Sequence, residues 1–149
     1  MTRSRLAWQL LLGVAGLAVS AYLMATHYFA ANVPLPCSSG GIVDCEEVTT
    51  SAESMIGPLP VAVLGAIWFV ALLVMVAAHR QWPYGPWMWI QVGWAIGGLL
   101  FVFYLVYAEL FLIGSICSWC TVVHAIVVVL FLLTIYEATA PGEPLTSVG

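Results

Sequence analysis

Long uncharged hydrophobic stretches alternate along this chain with short segments that carry almost all of its charge. Four stretches lack Asp, Glu, Lys and Arg, and they cover residues 6–43, 54–79, 81–108 and 110–136. A helix that crosses a bilayer needs about 20 predominantly apolar residues, so each stretch holds one such helix. The pattern predicts membrane spans near 8–30, 59–78, 87–112 and 118–136.

The first stretch has two possible interpretations, because a positive segment with Arg3 and Arg5 precedes it, as in a signal peptide. Its apolar run from 6 to 31 is much longer than the h-region of about 7–15 residues that signal peptides carry. We therefore predict a retained membrane helix.

Composition leads to the same fold class. Hydrophobic residues make up 63% of the chain and charged residues 7%, whereas a soluble domain has about 45–50% apolar and about 25% charged residues. Such a chain cannot cover itself with a polar surface, so lipid must solvate most of it. We predict an all-α membrane protein, a four-transmembrane-helix bundle.

Three basic residues, Arg3, Arg5 and Arg80, determine the predicted topology. Four spans place all three on one side of the membrane, which the positive-inside rule assigns to the cytoplasm. Both termini are then cytoplasmic. The long loop over 32–60 and the turn near 114–115 lie on the outer side.

All four cysteines fall on that outer side. Cys37 and Cys45 lie in the long loop, and Cys117 and Cys120 lie at the start of the fourth span. Disulfides form and persist in oxidising compartments, which the outer side faces.

The second pair forms a Cys-x-x-Cys motif at a helix start. If Ser115 caps the helix, Cys117 lies in the first turn, where free N–H groups and the helix dipole favour a thiolate. Cys117 and Cys120 are spaced i and i+3, so their sulfurs can meet. The spacing favours a redox pair and leaves two alternatives: structural disulfides that tie the loop to the fourth span, and a zinc site.

Part of the long loop has a helical pattern. Between 44 and 55 apolar residues recur on one face, which predicts a short surface half-helix that caps the bundle. Gly57-Pro58-Leu59-Pro60 then turns the chain into the second span.

Together these features resemble the vitamin K epoxide reductase family. The resemblance rests on Cys37, Cys45, Ser51, the Gly57–Pro60 turn and the Cys117-Ser118-Trp119-Cys120 motif, in this order, and covers about 6–136. The stretch from Asp44 through Leu64-Gly65 looks like bacterial members in particular, although its turn is one residue longer than their common pattern. The DsbB family also has four spans and two cysteine pairs, but there the Cys-x-x-Cys pair comes first in the chain.

The resemblance implies a role for each site residue. Cys37 would exchange with a protein thiol, Cys45 would pass electrons to Cys117, and Cys120 would lie against a quinone. Ser51 matches a loop serine that supports the chemistry on the quinone side.

Two further residues are candidates near the quinone. His124 lies one turn after Cys120 on the same face and is either a hydrogen-bond or proton donor to the quinone or a buried histidine bonded to a neighbouring helix. Glu109 is either a solvated acid at the interface or a functional acid within the membrane.

The resemblance therefore implies a thiol:quinone oxidoreductase that supports disulfide bond formation. Its cofactor would be a quinone, ubiquinone or menaquinone, without a metal. We expect a separate DsbA-like thioredoxin-fold partner, membrane lipid around the protein and no nucleic acid. We further expect one membrane domain over 1–149 without a fused thioredoxin-like domain, in a bacterial cytoplasmic membrane with the cysteines facing the periplasm.

Two alternatives stay open at this point. One is a vitamin K epoxide or quinone reductase that recycles a cofactor. The other is a non-enzymatic membrane protein with structural disulfides, which predicts disulfides that resist mild reductant and no bound quinone.

Overall fold

A computed structural model describes residues 3–29, 42–82 and 86–140. Within these residues four helices are long and apolar enough to cross a membrane, which confirms the predicted bundle. They are α1 (Arg3–Tyr28), α3 (Val61–Gln81), α4 (Trp87–Tyr107) and α5 (Ser118–Thr139), and the short helix α2 (Cys45–Thr50) lies between α1 and α3. A π-helical segment, Ala108–Ile113, extends α4 by one wide turn.

The predicted helix over 44–55 is wrong beyond Thr50. Ser51 has extended backbone angles (φ −63°, ψ 159°), and its hydroxyl donates to the Val48 carbonyl oxygen at 2.8 Å. Serine competes in this way for backbone groups that a continuing helix would use. A 3₁₀ turn, Ala52–Ser54, follows.

A two-stranded hairpin then leads into α3. Strands β1 (Met55–Ile56) and β2 (Leu59–Pro60) pair antiparallel through a two-residue turn. Gly57 has φ +61° there, a conformation that residues with a Cβ rarely adopt.

The four long helices form a ring in which each packs against two neighbours. Helix α1 contacts α3 and α5, and α4 contacts the same two helices from the other side. Small residues allow the close approaches, as is common between membrane helices. Gly16 of α1 faces the Phe69 ring, and Gly98 of α4 faces the Trp68 indole.

The centre of the ring is closed by apolar side chains. Phe69, Leu72, Val102, Val127 and Leu130 form a buried cluster contributed by α3, α4 and α5. This cluster separates the half of the bundle that contains Cys120, which we call the cysteine end, from the opposite half.

Polar contacts join the helices at the opposite end. The Arg5 guanidinium forms an ion pair with Glu137 at 3.3 Å and lies 4.6 Å from the centre of the Tyr136 ring. One turn further in, the Gln91 amide donates to the Thr134 hydroxyl at 3.5 Å. These contacts connect α1 with α5 and α4 with α5.

The glycine contacts give a first test of this packing. A Cβ at Gly98 would lie 2.5 Å from Trp68 Cζ2, whereas a Cβ at Gly93 of the same helix would meet no atom within 4 Å. We expect Gly98→Ala to lower the free energy of unfolding by about 1–3 kcal/mol, the usual cost of overpacking. Gly93→Ala serves as the matched control and should be neutral or slightly stabilising. Denaturation in detergent measures both, and equal stabilities would contradict the packing.

Candidate redox site

The loop before α2 is attached by its backbone to the segment before α5. Val43 and Ile116 form a parallel β-bridge. The Ile116 N–H donates to the Ile42 carbonyl oxygen at 2.8 Å, and the Asp44 N–H donates to the Ile116 carbonyl oxygen at 3.2 Å. Since Cys45 follows Asp44 and Cys117 follows Ile116, this bridge brings the two cysteines to the same place.

A side-chain contact strengthens the attachment. The Ser115 hydroxyl donates a short hydrogen bond to the Glu47 carboxylate on α2. Asp44 caps α2 by accepting from the Glu47 N–H at 3.0 Å. We call the bridge and the Glu47–Ser115 bond together the loop clamp.

The prediction that Ser115 caps the fourth span is wrong. Ser115 does not cap α5, because its hydroxyl is committed to Glu47 and because α5 begins only at Ser118. Cys117 is the N-cap residue instead, and its sulfur accepts from the Cys120 N–H at 3.3 Å. The thiol therefore takes the place that a serine hydroxyl usually holds.

This cap position affects the ionisation of Cys117. A hydrogen bond from the Cys120 side chain is the largest influence and lowers the pKa of Cys117 below that of an ordinary thiol. Burial raises this pKa, the backbone N–H of Cys120 lowers it, the negative charge of Glu109 raises it, and the backbone N–H of Trp119 lowers it. The net effect favours a thiolate, the reactive form of cysteine.

Cys45 lies directly over this pair. Cys45, Val48 and Cys117 form one buried cluster, with Cys120 packed against it. Cys45 is disulfide-bonded, whereas Cys117 and Cys120 are free thiols. Cys37 lies outside the described residues.

A cavity of about 360 Å³ opens beneath Cys120, in the cysteine end of the bundle. All four long helices line it, and Phe69, Val102 and Val127 of the central cluster close its inner end. Its wall is mainly apolar, with a few polar side chains. The polar and indole groups are contributed by Ser20, His27, Thr49, Glu53, Ser54, Trp68, Trp94, Glu109, Cys120 and His124.

Two indoles hold the wall of this cavity between α3 and α4. The Trp68 N–H donates to the Trp94 carbonyl oxygen at 3.3 Å, and the Trp94 N–H donates to the Trp68 carbonyl oxygen at 3.1 Å. A backbone carbonyl oxygen of each helix thus accepts a hydrogen bond from an indole of the other helix. These two bonds fix the distance between α3 and α4 at this level.

Comparison with protein families matches residues 7–135 to the vitamin K epoxide reductase family. The chain belongs to this family. The match covers most of the chain and includes all four cysteines, so the resemblance seen in the sequence is confirmed. No curated protein matches the chain in a direct comparison.

Membership implies the general chemistry. The family consists of thiol/quinone-type oxidoreductases of the membrane, which act with quinones and with thioredoxin-fold redox partners. The four apolar helices agree with an integral membrane protein. Within the described residues, no three His, Cys, Asp or Glu side chains lie close enough to hold a metal ion.

The structure brings some of the predicted family residues to the cavity and leaves one beside it. Cys120 and His124 both line the cavity, and His124 is 7% exposed. Within the described part of the chain, the imidazole has no hydrogen-bond partner, so the alternative of a bond to a neighbouring helix finds no support. Ser51 does not line the cavity, and its hydroxyl is bonded to Val48.

Glu109 also lines the cavity, although the sequence left its role undecided. It is 6% exposed, and therefore it is not a solvated acid of the interface. A signal was present in the sequence: Ala95, Gly98, Val102 and Glu109 are spaced i, i+3, i+7 and i+14, which places them on one helix face. All four are buried.

The loop clamp can be tested by a double-mutant cycle on Glu47→Ala and Ser115→Ala. A hydrogen bond to a charged group contributes about 1.5–3 kcal/mol, and residues in direct contact show coupling. We expect a coupling energy of about 1.5 kcal/mol in the unfolding free energy. The neighbouring acid gives a matched control, since Glu46→Ala with Ser115→Ala should show no coupling. Additive effects for Glu47 and Ser115 would contradict the contact.

Proposed function

We propose that this protein is a thiol:quinone oxidoreductase that reoxidises a thioredoxin-fold partner and passes the electrons through two cysteine pairs to a membrane quinone. One observation carries the proposal. Cys120 borders the cavity and also packs against the cluster in which Cys45 meets Cys117. The packing of Cys45, Cys117 and Cys120 next to one another supports a relay that ends at the cavity.

The proposed reaction is a series of thiol–disulfide exchanges. A partner thiolate attacks a Cys37–Cys45 disulfide at Cys37 and forms a mixed disulfide, which the second partner thiol resolves. The partner leaves as a disulfide, and Cys37 and Cys45 are reduced to thiols.

The second exchange moves the electrons inward. The Cys45 thiolate attacks Cys117 in a Cys117–Cys120 disulfide, and Cys120 leaves as a thiolate. Cys37 then attacks Cys45, which restores the loop disulfide and leaves Cys117 and Cys120 as a dithiol. The close packing of Cys45 on Cys117 supports this step, because the exchange needs direct contact between sulfurs.

The cavity fits a quinone in size and chemistry. Sites for small molecules are typically apolar clefts of about 300–1,000 Å³ with a few polar groups that fix orientation. The volume of 360 Å³, the apolar wall and the buried polar groups of Glu109 and His124 agree with this description. A bound quinone would accept two electrons and two protons and so restore the Cys117–Cys120 disulfide.

His124 and Ser51 would support the quinone in different ways. The buried imidazole of His124 faces the cavity with no hydrogen-bond partner among the described residues and would donate a hydrogen bond to a quinone oxygen. Ser51 would act indirectly. Its hydroxyl donates to the Val48 carbonyl oxygen at the end of α2, and Val48 packs in the buried cluster with Cys45 and Cys117.

The proposal extends to partner and place. We propose a DsbA-like thioredoxin-fold protein as the physiological dithiol and the periplasmic side of a bacterial cytoplasmic membrane as the location of the cysteine end. The support is the topology predicted from Arg3, Arg5 and Arg80, together with the family's redox partners.

Quinone reduction tests the function directly. Purified protein is supplied with a dithiol or a reduced thioredoxin-fold protein, and reduction of ubiquinone and menaquinone analogues is followed for the wild type and Cys120→Ser. We expect turnover in the wild type and a loss of at least about 10³-fold in the variant, because the electron route is cut at the sulfur that borders the cavity. Val122→Ala, on the lipid-facing side of the same helix, is the matched control and should keep wild-type turnover.

Each alternative function has its own outcome in this experiment. Absence of turnover with every dithiol and quinone, from folded protein whose disulfides resist mild reductant, would favour structural disulfides. Turnover of an epoxide in place of protein dithiols would favour a cofactor-recycling reductase.

His124 is tested by its effect on quinone affinity. One neutral hydrogen bond contributes about 0.5–1.5 kcal/mol, and 1.4 kcal/mol corresponds to about tenfold in affinity. We expect His124→Leu to raise the KM for quinone by up to about tenfold, with a smaller change in the KM for the dithiol. The matched variant His79→Leu, at the opposite end of α3, should leave the quinone KM unchanged. Equal quinone KM values for wild type and His124→Leu would contradict the role.

A further inference from the structure

The acid Glu109 takes no part in the relay described above, yet it lies in the cavity wall. Its side chain is 6% exposed within the third span. Within the described residues its carboxyl group has no ion pair and no hydrogen-bond partner. Ionisable groups inside membranes are costly, and those that persist are usually functional or paired. A buried acid with no partner among the described residues is therefore a candidate for a function.

The position of Glu109 relates it to the cysteines. It lines the same cavity as Cys120, and its negative charge is one of the influences on the pKa of Cys117. Its own backbone carbonyl accepts from the Gly114 N–H at 2.9 Å, so the backbone is held in the π-helical segment independently of the carboxyl group. A change of the carboxyl alone leaves that backbone contact intact.

We propose that Glu109 carries protons between the Cys117–Cys120 thiols and the ligand in the cavity. This inference rests on the proposed function. Oxidation of the dithiol forms one S–S bond and releases two electrons and two protons, and a quinone takes up both. The Glu109 carboxylate accepts a thiol proton and delivers it to a quinone oxygen in turn, and it ends each cycle in its starting state.

Other titratable side chains also line the cavity. His27 reaches it from α1, Glu53 from the 3₁₀ turn, and His124 from α5 beside Cys120. Glu109 is the acid that the π-helical extension of α4 contributes. Proton transfer by a positioned side chain contributes about 10²–10⁴-fold to a rate.

The first test compares Glu109→Gln with Glu109→Asp in dithiol-to-quinone turnover. The amide keeps the size of the side chain but cannot carry a proton, so we expect kcat to fall by about 10²-fold or more while the quinone KM changes little. The shorter acid should restore part of the rate with an altered pH profile. Glu46→Gln, an exposed acid of α2, is the matched control and should be unchanged with a small dithiol.

A second readout needs no quinone. Infrared difference spectra between the dithiol and disulfide states of the quinone-free protein should contain a carboxyl C=O band that shifts in D₂O. This band should vanish in Glu109→Gln and persist in Glu46→Gln. It would report the proton exchange at Glu109 directly.

The outcomes separate this proposal from the function on which it rests. No quinone reduction by wild-type protein would overturn the oxidoreductase function itself. Wild-type turnover together with an unchanged kcat in Glu109→Gln, or a redox-linked carboxyl band that survives this substitution, would overturn the role of Glu109 alone. Loss of activity that Glu109→Asp fails to restore, with an unfolded Glu109→Gln, would assign Glu109 to structure and equally overturn the proposal.

Discussion

The loop clamp is the contact on which the rest of the site depends. Cys45 and Cys117 are 72 positions apart in the chain, and the bridge between Val43 and Ile116 together with the Glu47–Ser115 bond brings them together. Hydrogen bonds of this kind contribute little net free energy each, but together they fix how the segment before α2 lies against the segment before α5. The clamp therefore fixes the geometry of the cysteines more than it adds to the overall stability.

Much of the fold could be predicted because the membrane imposes a simple rule. Charged residues are rare in the spans, and Arg80 and Glu137 lie near the ends of their helices, where the hydrophobic runs end. The predicted spans agree with the helices within a few residues at most ends. Cys120 and His124 were predicted together because a spacing of four residues places both on one helix face.

The details that failed depend on competition between local hydrogen bonds. Ser115 was expected to cap the fourth span, and Ser51 to lie within the loop helix. The Ser115 hydroxyl instead bonds Glu47 and the Ser51 hydroxyl bonds Val48, partners that periodicity does not single out. Glu109 was left undecided for a related reason. Its position near the outer end of the predicted third span suggested an interface, whereas its place on the buried helix face determines its burial. Side-chain partners of this kind depend on packing that only the tertiary structure supplies.

The central apolar cluster has a consequence for energetics across the membrane. It closes the bundle below the cavity, so Cys45, Cys117, Cys120 and the cavity share one half of the bundle. In the proposed reaction, electrons and protons both move from sulfur to oxygen within that half. No net charge then crosses the low-dielectric layer, and the work done against a transmembrane potential is close to zero. The chemistry would run equally well in energised and de-energised membranes.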